Sequence, residues 1–442
     1  MKEIFKQLIL DFYDETLPEP VLRHFEIPEL PDNIRKAFVF VGMRRSGKTW
    51  AMYQHIQNIL NHGIDKKKIL YINFEDDRLS EMQTNHFQSI IDAYFTLYPQ
   101  YVDERDLHFF FDEIHEIDNW EKFIRRILDR ESINIYISGS SAKMLSKEIA
   151  SVLRGRTIVI EIFPFSFNEY LSYQHIPLKQ DYSTKQRSTI SYHLQEYLTY
   201  GGFPEAISMK KNFHRNLLQG YIDVVVYRDI IERYNISNMH VVKELLKFCI
   251  QNASSLISIN KIYQRFKSHG KKIGKNSIYQ FMDYFEDAYC IFTVPIYSHS
   301  INKQNINPKK IYAIDQGLIT AYTIKPEFEE ASRLENLVFC QLRRTTEQIF
   351  YYKTNSGKEV DFLVINSYGK IQLIQVSVSL MDPNIKKRET AALTEAMDEL
   401  SLDSATIITI ENDEKINFET GSIYCISLWQ WLLSRENNLY IN

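Results

Sequence analysis

"VFVGMRRSGKTW", residues 39–50, is the stretch on which the fold turns. An apolar run, 37–42, ends at Gly42, and a pattern of helical period opens at Lys48 and continues to residue 60. Between them, Gly42-Met43-Arg44-Arg45-Ser46-Gly47-Lys48-Thr49 satisfies GxxxxGK[ST]. A strand before such a loop and a helix after it form the context in which it wraps phosphates. Gly42 and Gly47 let the backbone curl, so that N–H groups along Arg44, Arg45 and Ser46 point inward at a phosphate chain. The helix N-terminus adds the positive end of its dipole. Lys48 is placed to reach the β- and γ-phosphates, and the Thr49 hydroxyl to bind Mg²⁺.

Such a loop needs a carboxylate at the end of a neighbouring strand to hold the metal. "LHFFFDE", residues 107–113, supplies a buried-type strand running into Asp112 and Glu113. Asp112 is the candidate metal holder, through water, and Glu113 the candidate general base for an attacking water. The next strand, "INIYISGS" (133–140), ends in Ser138 and Ser140, either of which is placed to sense a γ-phosphate or to cap the strand. "LRGRT" (153–157) sets Arg154 and Arg156 before one more strand, 157–163.

Strands at 68–76, 107–113, 133–140 and 157–163 alternate with helical stretches at 48–60, 87–98 and 120–130. That alternation predicts a parallel sheet with helices on both faces. Ile4, Phe5, Leu8, Ile9 and Phe12 recur at helical spacing and predict an amphipathic helix docked on the body. Asp11, Asp14 and Glu15 speak against a helix lying on anionic lipid. Residues 16–36, rich in Pro and charge, read as an extended lead-in.

The formal net charge of −4 advertises no global field for nucleic acid, although a local basic patch stays open. Four scattered cysteines form no CxxC pair, so reduced thiols of a cytoplasmic protein are expected rather than zinc or disulfides. No apolar run is long enough to span a bilayer, and no membrane partner is expected. The reading divides the chain into a helix and lead-in (1–36), an α/β P-loop core (37–163), a helical region (164–250), a region of short helices then strands (251–330) and a mixed α/β block (331–442).

Together, "VGMRRSGKT", "FFFDEIHEIDNWE", "ISGSSAKML", "LRGRTIVIEIFPFSFNEYL", "YGGFPEA", "VYRDIIERYNI", "YAIDQGL", "LENLVFCQLRR", "GKEVDFLV" and "IQVSVSL" resemble a family of prokaryotic AAA-type P-loop ATPases. Their AAA core precedes a C-terminal domain of unknown function. The resemblance covers nearly the whole chain. It implies ATP rather than GTP, a sheet of the AAA/RecA type, and a catalytic arginine finger at Arg156.

Two later stretches carry further expectations. Ile259, Ile262, Tyr263 and Phe266 give one helical face, and Ile278, Phe281, Met282 and Phe285 another. The basic turn between them and the apolar strands after them have the rhythm of a winged helix-turn-helix, where the family is similar. Lys271, Lys272, Lys275, Asn276 and Tyr279 then open the recognition helix and are candidate DNA contacts, against which Asp283, Glu286 and Asp287 weigh. "EVDFLVINSYGKIQLIQVS" resembles the PD-(D/E)xK nuclease core. Glu335 and Asp361 match its first two acids, but the ExK site is Gln375-Val376-Ser377. Without the second carboxylate and the lysine, metal attraction and water activation are both lost. A nuclease-like fold with no nuclease activity is expected.

The reading that results is an ATP-driven switch or remodeller that uses Mg²⁺, binds a protein or DNA partner through its C-terminal domains, and assembles into a homo-oligomer under nucleotide control. The alternatives are a helicase, for which no second phosphate loop exists after residue 164, and a DNA-binding module with a structural or very slow nucleotide site. Glu113 separates the last from an ATPase, since a structural site has no use for a base.

Overall fold

The computed structural model describes all residues except 20, 32–33, 140–151, 154, 180, 325–328, 412, 419–420 and 435–442. The chain divides into two compact units, 1–163 with 287–289, and 164–286 with 290–442.

The first unit begins with α1 (Lys2–Asp14), which buries Phe5, Leu8, Ile9 and Phe12. Its elements then alternate: β1 (Ala37–Val41), α2 (Lys48–Asn61), β2 (Ile69–Asn73), α3 (Phe87–Leu97), β3 (Leu107–Asp112), α4 (Trp120–Arg130), β4 (Ile133–Ser138) and β5 (Thr157–Glu161). The five strands form one sheet in the order β2-β3-β4-β1-β5, and every pairing is parallel. β1 is buried at every position, which explains its unbroken apolar run: a parallel strand covered on both faces has no wet side. Phe110 stacks on Tyr136 with centroids 4.4 Å apart, and Phe40, Ile56, Ile69 and Ile162 close around the same core. α1 packs on α3 and β2, as its apolar spacing requires. The lead-in is no loose tether: Leu17, Phe25, Ile27 and Leu30 lie against the same core.

Because all strands run one way, their C-terminal ends share one edge. That edge gathers the turn after β1, Asp112 and Glu113 after β3, and Ser138 closing β4. Ligands in open α/β sheets bind at this edge.

The second unit opens with α5 (Phe167–Tyr173), α6 (Thr184–Tyr200) and α7 (Lys211–Val225), continued by a π-helical stretch, Val226–Glu232. After α6 the chain turns at Gly201, whose φ of 79° suits glycine, and the Gly202 N–H donates to Asp315 Oδ2 at 2.7 Å. Next come α8 (Met239–Gln251), β6 (Ser255–Ile257), α9 (Ile259–Ser268), α10 (Lys275–Asp287), β7 (Ile291–Val294) and β8 (Lys309–Ala313). The three strands pair antiparallel in the order β6-β8-β7. α11 (Gln316–Tyr322) and α12 (Glu330–Arg343) lead into β9 (Ile349–Lys353), β10 (Glu359–Ile365), β11 (Ile371–Val376), α13 (Pro383–Leu400), β12 (Ser404–Thr409), β13 (Glu414–Phe418) and β14 (Gly421–Ser427). Those strands form a mixed sheet, β13-β14-β12-β11-β10-β9. Leu393, Ala396 and Met397 of α13 pack on Leu363, Leu373, Ile407 and Ile423 of the sheet.

All four cysteines are buried and free. No helix of the described residues is long and apolar enough to cross a membrane.

Candidate functional site

The turn after β1 is shaped by backbone angles that side chains oppose. Gly42 has φ of 147°, and a Cβ there would stand 2.1 Å from the Ile162 carbonyl oxygen. Gly47, at φ of 99°, caps α2, and its Cβ would meet the Arg23 guanidinium at 2.7 Å. Arg45 carries φ of 69° and is exposed. Arg44 leans toward Glu75, 3.8 Å away. Ser46 is fully buried; its N–H donates to the Met43 carbonyl at 3.2 Å, and its Oγ has no hydrogen-bond partner among the described groups. Lys48 Nζ is buried and turned back on the loop, 3.2 Å from Gly42 O and 3.5 Å from Met43 O. Both distances are long for a charged donor.

Asp112 closes β3 and is fully buried. Its Oδ1 accepts from Ser138 Oγ and its Oδ2 accepts from Tyr71 OH at 2.9 Å, with the Thr49 hydroxyl near enough to favour its charged form. Burial, followed by the neighbouring Glu113 charge, pushes its carboxyl above the usual range. Glu113 adopts φ of 52° and swings off the strand, its N–H donating to Ser138 Oγ at 3.0 Å. Its Oε2 lies 3.1 Å from His115 Nδ1, close enough for an ion pair but without hydrogen-bond geometry. Burial alone would raise Glu113, but His115, Lys48 and Arg44 outweigh it and draw the carboxyl down to about 2. Glu113 is therefore an anion at neutral pH, as a base must be.

The edge thus brings together Lys48, Thr49, Asp112 and Glu113. The Thr49 hydroxyl stands near the Asp112 carboxylate, and hydroxyl plus carboxylate is a donor set that suits Mg²⁺. Ser138 is buried beneath Asp112, its hydroxyl holding the carboxylate and the Glu113 amide, which is the capping arrangement of the two its strand-end position left open. Ser140 and Arg154 lie outside the described residues.

Arg156 precedes β5, and its carbonyl accepts from the Ala37 N–H at the start of β1. It therefore sits at the opposite edge of the sheet from the loop. Five residues of strand put that edge about 16 Å away, beyond an arginine's reach. Arg156 instead pairs with Asp129 of α4.

Arg23 gave no signal in the sequence, yet it braces the loop. Its guanidinium is buried, donating from Nη1 to Ser46 O at 2.9 Å and from Nη2 to Phe163 O at 2.5 Å. Gln54 of α2 clamps its backbone on both sides, at 2.6 and 2.9 Å. Removing a partner from a buried carbonyl costs about 1–3 kcal/mol. Arg23→Gln is expected to weaken ATP affinity about tenfold in a calorimetric titration, with turnover at saturating ATP reduced much less. An unchanged affinity would show that the loop holds its shape unaided.

In the second unit, Lys272, Lys275, Asn276 and Tyr279 are exposed at the start of α10 and in the turn before it. Lys271 is paired with Glu244 at 2.9 Å, and Lys275 Nζ stands 5.5 Å over the Tyr263 ring. Glu335 and Asp361 are brought together, with Lys310 Nζ between them at 3.0 and 2.8 Å. Gln375 Oε1 accepts from the Asp361 N–H at 3.1 Å, and its amide donates to Glu389 Oε2 at 2.7 Å. Ser377 turns away, its hydroxyl donating to Ser379 O at 3.1 Å. Among the described residues, no group of three His, Cys, Asp or Glu is arranged to hold a metal.

A family model described as an AAA domain matches residues 34–171, and two domains of unknown function, DUF8612 and DUF4143, match 191–327 and 332–431. An uncharacterized protein of Methanocaldococcus jannaschii is 35% identical over 445 residues, spanning 98% of this chain and 96% of its own. An uncharacterized protein of Haemophilus influenzae is 28% identical over 77% of this chain and 82% of its own. Among solved structures, a Walker-type ATPase of Pyrococcus abyssi aligns at 13% identity over 73% of this chain and 95% of its own, with a TM-score of 0.37. Cdc6p from Pyrobaculum aerophilum aligns at 13% identity over 69% and 88%, with a TM-score of 0.25.

Proposed function

Because the chain belongs to the family of AAA-type P-loop proteins whose core precedes domains of unknown function, we propose that it is a Mg²⁺-dependent ATPase that works as a nucleotide-driven switch or remodeller in the cytoplasm. One observation carries the reading. Lys48, Thr49, Asp112 and an ionised Glu113 converge at one edge of the sheet, with Asp112 and Glu113 held by the same serine, Ser138.

In this reading the loop amides and Lys48 bind the triphosphate. Thr49 and Asp112 would hold Mg²⁺, which supplies charge neutralisation of the phosphates. Glu113 orients a water in line with the γ-phosphate and accepts its proton. His115 holds that carboxylate at the mouth of the site until nucleotide arrives. Arg156 is out of reach of its own loop, so its catalytic use requires a neighbouring copy of this chain. Release from Asp129 then accompanies assembly. Phosphate release, together with mass measured with and without a slowly hydrolysed ATP analogue, tests both parts. The expected results are Mg²⁺-dependent turnover and a larger species with the analogue. A chain that binds ATP but neither hydrolyses it nor changes mass is the alternative, a structural nucleotide site.

The partner is expected at the second unit. The element order α8-β6-α9-α10-β7-β8, with β8 between the other two strands, supports a winged helix over 251–330. Its exposed Lys272, Lys275, Asn276 and Tyr279 support DNA as the partner. A protein partner is favoured instead if fluorescence anisotropy with duplex DNA shows no binding that falls with added salt.

A further inference from the structure

We infer that Lys310 is a tethered cation occupying the point where three carboxylates would otherwise gather a divalent ion, and that this domain carries a latent cation site closed from within. Lys310 Nζ lies 3.0 Å from Glu335 Oε1, 3.1 Å from Glu359 Oε1 and 2.8 Å from Asp361 Oδ1. The ammonium donates hydrogen bonds to Glu335 of α12 and Asp361 of β10, and Glu359 of β10 adds an ion pair. The side chain is almost fully buried, so the pairing is screened little by water.

The surroundings treat the cluster as a designed polar centre. Tyr312 OH donates to the same Glu335 oxygen at 2.7 Å, and the Val376 N–H donates to Asp361 Oδ2 at 3.0 Å. Three anions face one cation, which leaves negative charge unmet. Converging carboxylate oxygens are the donors that Mg²⁺ and Mn²⁺ prefer.

Lys310 cannot drift out of this position. Its backbone belongs to β8, the middle strand, opposite Leu256 on one side and Val294 on the other. The stem enters the cluster from a strand fixed on both edges. Gln375 and Ser377 stand where an ExK site would supply its charges, and Lys310 fills the seat between the carboxylates.

The test is Mn²⁺ binding to nucleotide-free full-length chain, followed by electron paramagnetic resonance, with thermal melts in parallel. Wild type is expected to show no Mn²⁺ binding that Asp361→Asn removes. Lys310→Ala and Lys310→Met are each expected to bind one Mn²⁺ at least about tenfold more tightly than wild type, with a melting temperature that rises with Mn²⁺. Adding Asp361→Asn to either is expected to abolish that gain. If both variants are unfolded in plain buffer, MnCl₂ is expected to restore folding. The inference is overturned by Asp361-dependent Mn²⁺ binding in wild type. It is equally overturned by folded variants with no added affinity, or by unfolded ones that Mn²⁺ does not rescue.

Discussion

Glu113→Gln is expected to lower steady-state ATP hydrolysis by about 10²–10⁴-fold, the span associated with a positioned general base, while leaving nucleotide bound. The argument rests on how little else the substitution disturbs. Gln has the shape of Glu, and the backbone N–H at 113 keeps its bond to Ser138 Oγ at 3.0 Å. The carboxylate is repelled by Asp112 and Glu75, both of which are pushed upward in part by its charge. Neutralising it relieves that repulsion, so affinity for Mg·ATP is expected to hold or to tighten. The His115 ring loses a carboxylate neighbour 3.1 Å away but keeps Glu116 at 3.2 Å. Phosphate release under saturating ATP, paired with a calorimetric titration, separates the two effects. Turnover near the wild-type rate would remove Glu113 from the chemistry. Loss of binding together with turnover would instead make it a structural support of the loop.

What was legible in the sequence was local in the chain. The loop from Gly42 to Thr49 carries its own strand and helix, so its string and its context were visible together. Asp112 and Glu113 could be placed because an apolar run of that length has to end at a sheet edge. The partners that hold these groups were not visible, because each comes from elsewhere. Arg23 reaches Ser46 from a stretch whose prolines suggested only a lead-in. Tyr71 reads as one more apolar strand residue until its hydroxyl is found on Asp112. Ser138 was seen, but strand-end position alone could not say whether its hydroxyl faces up to a ligand or down onto a carboxylate. The placement of Arg156 follows from chain order alone. A residue that precedes a parallel strand must lie at the edge away from the loops that follow the strands. Lys310 had no signal at all, because it meets Glu335 and Asp361 only through the pairing of β8 and the packing of α12.

Lys48→Met is expected to weaken ATP binding by about 100-fold, or ~2.7 kcal/mol, a loss on the scale of charged hydrogen bonds to phosphate. The same change is expected to leave the nucleotide-free protein as stable as before. Without nucleotide, Lys48 is a buried ammonium held by two backbone carbonyls at 3.2 and 3.5 Å, with the Glu113 charge as a more distant attraction. Such a group is held at a desolvation cost. A methionine of similar length removes that cost and still fills the space under the loop. Gly42 and Gly47 keep the backbone curl in either case, and Arg23 continues to hold Ser46 O. Thermal melts make the two outcomes separable. Wild type is expected to gain several degrees on adding Mg·ATP, because a ligand that binds only the folded state stabilises it. Lys48→Met is expected to melt at or above the wild-type temperature without nucleotide and to show almost no gain with it. A variant that melts far lower without nucleotide would mark Lys48 as a structural residue. One that keeps its ATP-dependent gain would mean that the phosphates lie elsewhere, and the reading of residues 42–49 as their cradle would fail.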